Sequence, residues 1–130
     1  MDKERKTALI VDDDEDYLFQ MEANLQRLDY EVTTASSVQE ATAIMEENRD
    51  VDLVLVDLMM DNMDDGFVLA HKIRRINENI PIIMTTSVAK DTGYEFDSVK
   101  GENREWLKID KILNKPVRFE QLKTVLATLK

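Results

Sequence analysis

Four short apolar runs, each broken off by residues that carry chemistry, constrain this chain more than any other feature of its sequence. Ala8-Leu9-Ile10-Val11 stops at Asp12-Asp13-Asp14. Residues 51–56 are apolar apart from Asp52, rich in valine, and stop at Asp57. Residues 80–84 stop at Thr85-Thr86, and Ile112-Leu113 leads after one residue to Lys115. Such runs are too short for buried helices, and their β-branched content suits strands covered on both faces. Between them lie stretches of helical period. Leu18, Met21, Leu25 and Leu28 recur within residues 16–28, Leu69, Ile73 and Ile76 mark another helix, and Leu122, Val125, Leu126 and Leu129 a last one. Ser37 with Glu40 forms a capping box ahead of Ala41, Ile44 and Met45. Residues 30–35 alternate, as a more exposed strand does. Strand and helix taking turns predict an α/β fold, a parallel sheet with helices on both faces.

The length, 130 residues, fits one domain and leaves no room for two. Lysine and arginine number 17 against 27 aspartates and glutamates, a formal charge of −10. A surface so acidic repels nucleic acid and anionic membrane, and directs the search for partners to proteins and cations. There is no cysteine, hence no disulfide framework and no thiolate chemistry. Residues 1–7 are charged and polar, unlike a signal peptide, and no apolar run approaches the roughly 20 residues of a membrane span. A cytoplasmic protein is the expectation.

In an open α/β sheet, ligands bind beyond the carboxyl ends of the strands. There the sequence sets Asp12 and Asp13, Asp57, Thr85 and Thr86, and Lys115. Carboxylates brought together repel one another, and a hard divalent cation with oxygen preference relieves the repulsion. With Mg2+ held by two carboxylates, a backbone carbonyl and waters, Asp57 becomes a carboxylate nucleophile able to form an acyl phosphate. The ammonium of Lys115 would meet the transferred oxygens, with a hydroxyl from Thr86 beside it.

These motifs resemble the response-regulator receiver domains, the CheY-like family. The resemblance rests on Leu9-Ile10-Val11-Asp12-Asp13, on residues 52–58 around Asp57, on Pro81-Ile82-Ile83-Met84-Thr85-Thr86 and on Lys115-Pro116. It implies a flavodoxin-like doubly wound sheet of five parallel strands in the order 2-1-3-4-5. It also implies one receiver domain over residues 1–130, with its core at 7–117. By the same resemblance Asp57 is the phosphoacceptor, Asp12, Asp13 and the Met59 backbone carbonyl join Asp57 around Mg2+, Thr86 is the switch hydroxyl and Lys115 binds phosphate. The donor is a sensor histidine kinase or phosphotransfer protein. The only chemistry implied is the domain's own phosphorylation and dephosphorylation, with a protein contact as output.

Three departures from the family stand out. The loop after the acceptor reads Met60-Asp61-Asn62-Met63-Asp64-Asp65-Gly66, with Asp61 where proline is usual. Ile112 occupies the place, three residues before the lysine, that often holds a switching aromatic. Residues 90–110 form an atypical extended segment in which the apolar period is lost and Tyr94, Phe96 and Trp106 fall among charges. It is expected to be an irregular excursion, an anchor to the body or the surface for a downstream protein target. Two alternatives remain. One is a receiver that binds its partner without phosphorylation, kept open by Asp61 and Ile112 although the complete set of Asp12, Asp13, Asp57, Thr86 and Lys115 argues against it. The other is a haloacid-dehalogenase-type phosphohydrolase, whose Asp-x-Asp start Asp12 and Asp14 mimic.

Overall fold

The computed structural model describes residues 6–48, 50–58, 65–86, 110–115 and 117–128. The segment 90–109 and Met59 lie outside them, as does most of the loop after the acceptor. Within the described residues the chain forms β1 (Lys6–Val11), α1 (Glu15–Arg27), β2 (Tyr30–Ala35), α2 (Val38–Glu47), β3 (Leu53–Asp57), α3 (Asp65–Ile76), β4 (Ile82–Thr86), β5 (Lys111–Asn114) and α4 (Phe119–Thr128). The five strands pair in parallel in the order β2-β1-β3-β4-β5. The expected sheet is therefore the one observed. Among the described residues no helix is long and apolar enough to cross a membrane.

Strand periodicity divides the core in two. On one face Leu9, Val11, Val54, Val56, Ile82 and Met84 pack with Ala41 and Met45 of α2 and Leu69, Ala70 and Ile73 of α3. On the other, Ala8, Ile10, Leu53, Leu55, Ile83 and Leu113 meet Leu18, Met21 and Leu25 of α1 and Leu122 and Val125 of α4. The central strands β3 and β4 are buried at every position, which is why their sequences are continuously apolar instead of alternating. The single polar residue of the run before β3, Asp52, is explained by pairing. Its N–H donates to Thr7 O and its Oδ2 accepts from Thr7 N, both at 2.8 Å, locking the start of β1 to the approach to β3.

Local chemistry sets the boundaries. Asp14 caps α1, its carboxylate accepting from the N–H groups of Asp16 and Tyr17, so the helix starts at Glu15, one residue earlier than its apolar period suggests. It ends at Leu28, after which Asp29 takes a left-handed turn at φ 71°. At α2, Ser37 Oγ accepts from Glu40 N at 3.1 Å, but Glu40 returns its bond to Ser36 N at 2.8 Å, one residue before the reciprocal partner of a standard capping box. β4 runs two residues further than its apolar stretch, and so contains Thr85 and Thr86.

Candidate functional site

Parallel pairing brings the C-terminal ends of β1, β3, β4 and β5 to one edge. Val11 lies opposite Val56, Asp57 opposite Thr85, and Thr86 opposite Asn114. The residue after β1, the last of β3, the last two of β4 and the one after β5 are thus neighbours. They are Asp12, Asp57, Thr85, Thr86 and Lys115.

Asp12 is fully buried and Asp57 nearly so, at 0% and 6% exposure. Burying a carboxylate is costly unless it is paired and hydrogen-bonded. Asp12 meets both conditions: Oδ1 accepts from Asp14 N at 2.9 Å, and Oδ2 accepts from Lys115 Nζ at 2.7 Å. The same ammonium lies 3.5 Å from Asp57 Oδ1. Lys115 is itself placed by its backbone, its N–H donating to Thr86 O at 2.9 Å. Thr85 and Thr86 are both buried, and Thr85 Oγ1 reaches Val56 O only at 3.5 Å.

Burial pushes the Asp12 carboxyl above its ordinary value, and the bonds from Lys115 and Asp14 do not cancel the effect. Lys115 shows the opposite balance. Burial pulls its ammonium down, but the hydrogen bond it donates to Asp12 and the charges of Asp12 and Asp57 outweigh it, and the group is raised. The Lys115 ammonium thus faces two carboxylates, more negative charge than one ammonium neutralises.

The excess comes from Asp12, Asp13 and Asp57, which offer carboxylate oxygens within 4.8 Å of one another. Two are buried and Asp13 is exposed, so the cluster opens to solvent on one side. An all-oxygen, multiply anionic donor set with an open side fits a hard divalent cation that keeps waters. Asp14 is not part of it. Its Oδ1 accepts from Asp16 N and Tyr17 N in capping α1, and the cluster forms with Asp57 in place of the Asp-x-Asp partner that the phosphohydrolase alternative would use. The acidic run 12–16 therefore divides its labour between site and helix cap.

Of two further neighbours of the site, Thr85 was placed at the strand ends by the sequence but given no role, and Tyr17 was not placed there at all. Thr85 faces the α1 side, opposite Asp57 in register. Tyr17, from the first turn of α1, lies with its ring centroid 4.4 Å from Lys115 Nζ. Its hydroxyl is buried beside Thr85, held in its protonated form by burial first and then by the charges of Asp12 and Asp57. Tyr17 stands four residues before Met21, so the apolar stripe of α1 pointed toward the strand ends; nothing in the sequence said that the stripe ends on a lysine. Ile112 is half-buried and packs into the other core, toward α2 and α3.

Gly66 fixes α3 against this edge. A Cβ there would fall 2.5 Å from Leu58 Cα and 2.6 Å from Asp57 O, and Gly66 N donates to Leu58 O at 2.7 Å. Only glycine allows the backbone of α3 to lie this close to the end of β3.

Residues 8–127 match the family model described as the response regulator receiver domain. The two-component response regulator ARR10 of Arabidopsis thaliana is 36% identical over 91% of this chain, which spans 20% of that protein. The transcriptional regulatory protein PhoP of Bacillus subtilis, named for alkaline phosphatase synthesis, is 38% identical over 74% of this chain and 38% of its own length. Both relatives thus extend well beyond the region they share with this chain. The response regulator TrrA of Thermotoga maritima, solved with Mg2+ and BeF, superimposes with a TM-score of 0.77 at 26% identity, covering 96% of this chain and 99% of that one.

Proposed function

Since this chain belongs to the response regulator receiver domain family, we propose that it accepts a phosphoryl group on Asp57, in a Mg2+-dependent reaction, from a sensor histidine kinase or phosphotransfer protein. The observation that carries this reading is the meeting of Asp12, Asp13 and Asp57 within 4.8 Å, with the Lys115 ammonium on the two buried members. A lone acidic cluster would bind a cation. A cluster with a lysine inside it also holds a positive group where a transferred phosphoryl oxygen would lie.

In this reading a carboxylate oxygen of Asp57 forms a bond to phosphorus as the donor's P–N or P–O bond breaks and the donor group leaves. Asp12 and Asp13, with Asp57 and the Met59 carbonyl, hold Mg2+, which supplies charge neutralisation at the transferring oxygens. Lys115 moves its hydrogen bond from Asp12 to a phosphoryl oxygen. Thr86, at the end of β4, donates its hydroxyl to another oxygen, and its displacement shifts a pre-existing equilibrium of the domain. The domain spans residues 1–130 with a core at 7–117 and resides in the cytoplasm. It turns over no separate substrate. Its output is contact with a downstream protein through residues 90–110, since long inserted segments of this kind are usually functional.

The test is phosphotransfer from a purified phosphohistidine donor, followed with and without Mg2+ in the parent and in Asp57→Asn. Transfer confined to the parent with Mg2+ supports the reading. Transfer to Asp57→Asn at the parental rate, or continuous turnover of a phosphate ester, overturns it.

A further inference from the structure

The phosphate-binding lysine needs something to hold it in place. Its stem is flexible, its ammonium is a compact charge, and both protein anions it touches are claimed by other partners during the proposed reaction. Asp12, at 2.7 Å, belongs to the cation cluster, and Asp57, at 3.5 Å, is the acceptor. Among the described residues the remaining recorded contact of the ammonium is the Tyr17 ring, 4.4 Å away and within the roughly 6 Å over which a ring face attracts a cation.

We propose that Tyr17 is a positioning residue for Lys115: its ring face is the uncharged pivot on which the ammonium passes from Asp12 to the incoming phosphoryl group. The inference rests on the reading of Asp57 as phosphoacceptor, and adds to it a residue that controls how fast the site is loaded.

Two further observations support the pivot. The ring is fixed at its root, because Tyr17 N donates to the Asp14 cap at 3.2 Å in the first turn of α1. Its hydroxyl is buried beside Thr85 and makes no hydrogen bond to Lys115 or to the carboxylates. What Tyr17 offers the ammonium is therefore its ring and not its hydroxyl. The contact also has the right chemistry for a pivot. A ring face attracts the ammonium without competing for the cation, and its attraction does not vanish when Asp12 and Asp57 turn to other partners.

The experiment measures the initial rate of phosphorylation by acetyl phosphate in saturating Mg2+, by intact mass. The proteins are the parent, Tyr17→Leu, Tyr17→Phe, Lys115→Ala and Lys115→Ala combined with Tyr17→Leu. Tyr17→Met stands in if the leucine variant does not fold. Loss of a partly desolvated cation–π contact is expected to slow loading about tenfold in Tyr17→Leu. Tyr17→Phe, which keeps the ring, recovers most of that loss. In the Lys115→Ala background the leucine substitution has no further effect, because a residue acting through Lys115 has nothing left to position. Three results would overturn the inference: Tyr17→Leu as fast as the parent, Tyr17→Phe as slow as Tyr17→Leu, or an equal slowing by Tyr17→Leu with and without Lys115. A parent that gains no phosphoryl group sinks the acceptor reading itself, so the two failures are distinct.

Discussion

The Lys115 ammonium bonds to Asp12 at 2.7 Å across 103 residues of sequence, and reaches Asp57 only at 3.5 Å. The lysine thus serves as counterion to a buried residue of the acidic cluster. In the proposed reaction a cation and the lysine would compete for Asp12, and that competition sets the expected response to substitution, pH and metal.

Lys115→Ala leaves the fully buried Asp12 without its counterion. Breaking an enclosed pair costs roughly 3–5 kcal/mol. Lys115 is 20% exposed, so solvent screens part of the interaction, and a loss of about 2 kcal/mol is expected without Mg2+. Mg2+ restores most of it, because the cation replaces the ammonium beside Asp12. Urea unfolding with and without Mg2+ measures both; an equal loss in the two conditions would contradict the competition.

The pH dependence follows from the two raised groups. Lys115 holds its proton more tightly folded than unfolded, so its contribution is complete below 10.5 and disappears as pH rises through its raised value. Asp12 is also raised, above 3.8, so its ionisation costs the folded state stability as pH rises through that higher value. The parent should therefore lose stability relative to Asp12→Asn as pH is raised through the acid range without metal. A gain relative to Asp12→Asn would show that the lysine pair, not burial, dominates. Because protons compete with metal for the same carboxylate, Mg2+ affinity should begin to weaken at a higher pH than an ordinary surface carboxylate would dictate.

Mg2+ should stabilise the fold by mass action. At about 100 times its dissociation constant the gain is about 2.7 kcal/mol. Asp13→Asn is the cleanest variant for this test, since Asp13 is the exposed member of the cluster and its loss removes a ligand without emptying the core. Thermal melts in increasing Mg2+ should show a smaller and later rise for Asp13→Asn. Superimposable curves would remove Asp13 from the site.

Gly66→Ala places a methyl group 2.5 Å from Leu58 Cα, where only backbone movement can relieve the clash. Overpacking of this kind costs about 1–3 kcal/mol. The movement separates α3 from the end of β3, so phosphorylation should slow together with the fall in melting temperature. An alanine variant as stable as the parent would show that the approach of α3 is looser than described.

The strand ends were legible because each functional residue stands where an apolar run stops, and a parallel sheet gathers such ends on one edge. Asp12, Asp13, Asp57, Thr86 and Lys115 could be placed there from the run boundaries and the family's motifs. Residues whose use depends on contacts distant in sequence were not legible. The Asp52 carboxylate binds a backbone N–H 45 residues away. Asp14, which with Asp12 mimics an Asp-x-Asp start in the sequence, is used as the cap of α1. Tyr17 looked like any residue in the first turn of a helix, because a ring beneath a lysine is a product of packing and has no signature in spacing. The Arg74 guanidinium, which bonds to Ile80 O and pairs with Asp110 at 3.2 Å to tie α3 to the approaches of β4 and β5, was hidden for the same reason.

The central claim is that Asp57 is a phosphoacceptor whose loading depends on the acidic cluster. Intact mass after incubation with acetyl phosphate tests it most directly, in the parent and Asp57→Asn, each with Mg2+ and with chelator. One added phosphoryl group is expected in the parent with Mg2+ and none in the other three samples. No addition to the parent, or the same addition to Asp57→Asn, would contradict it.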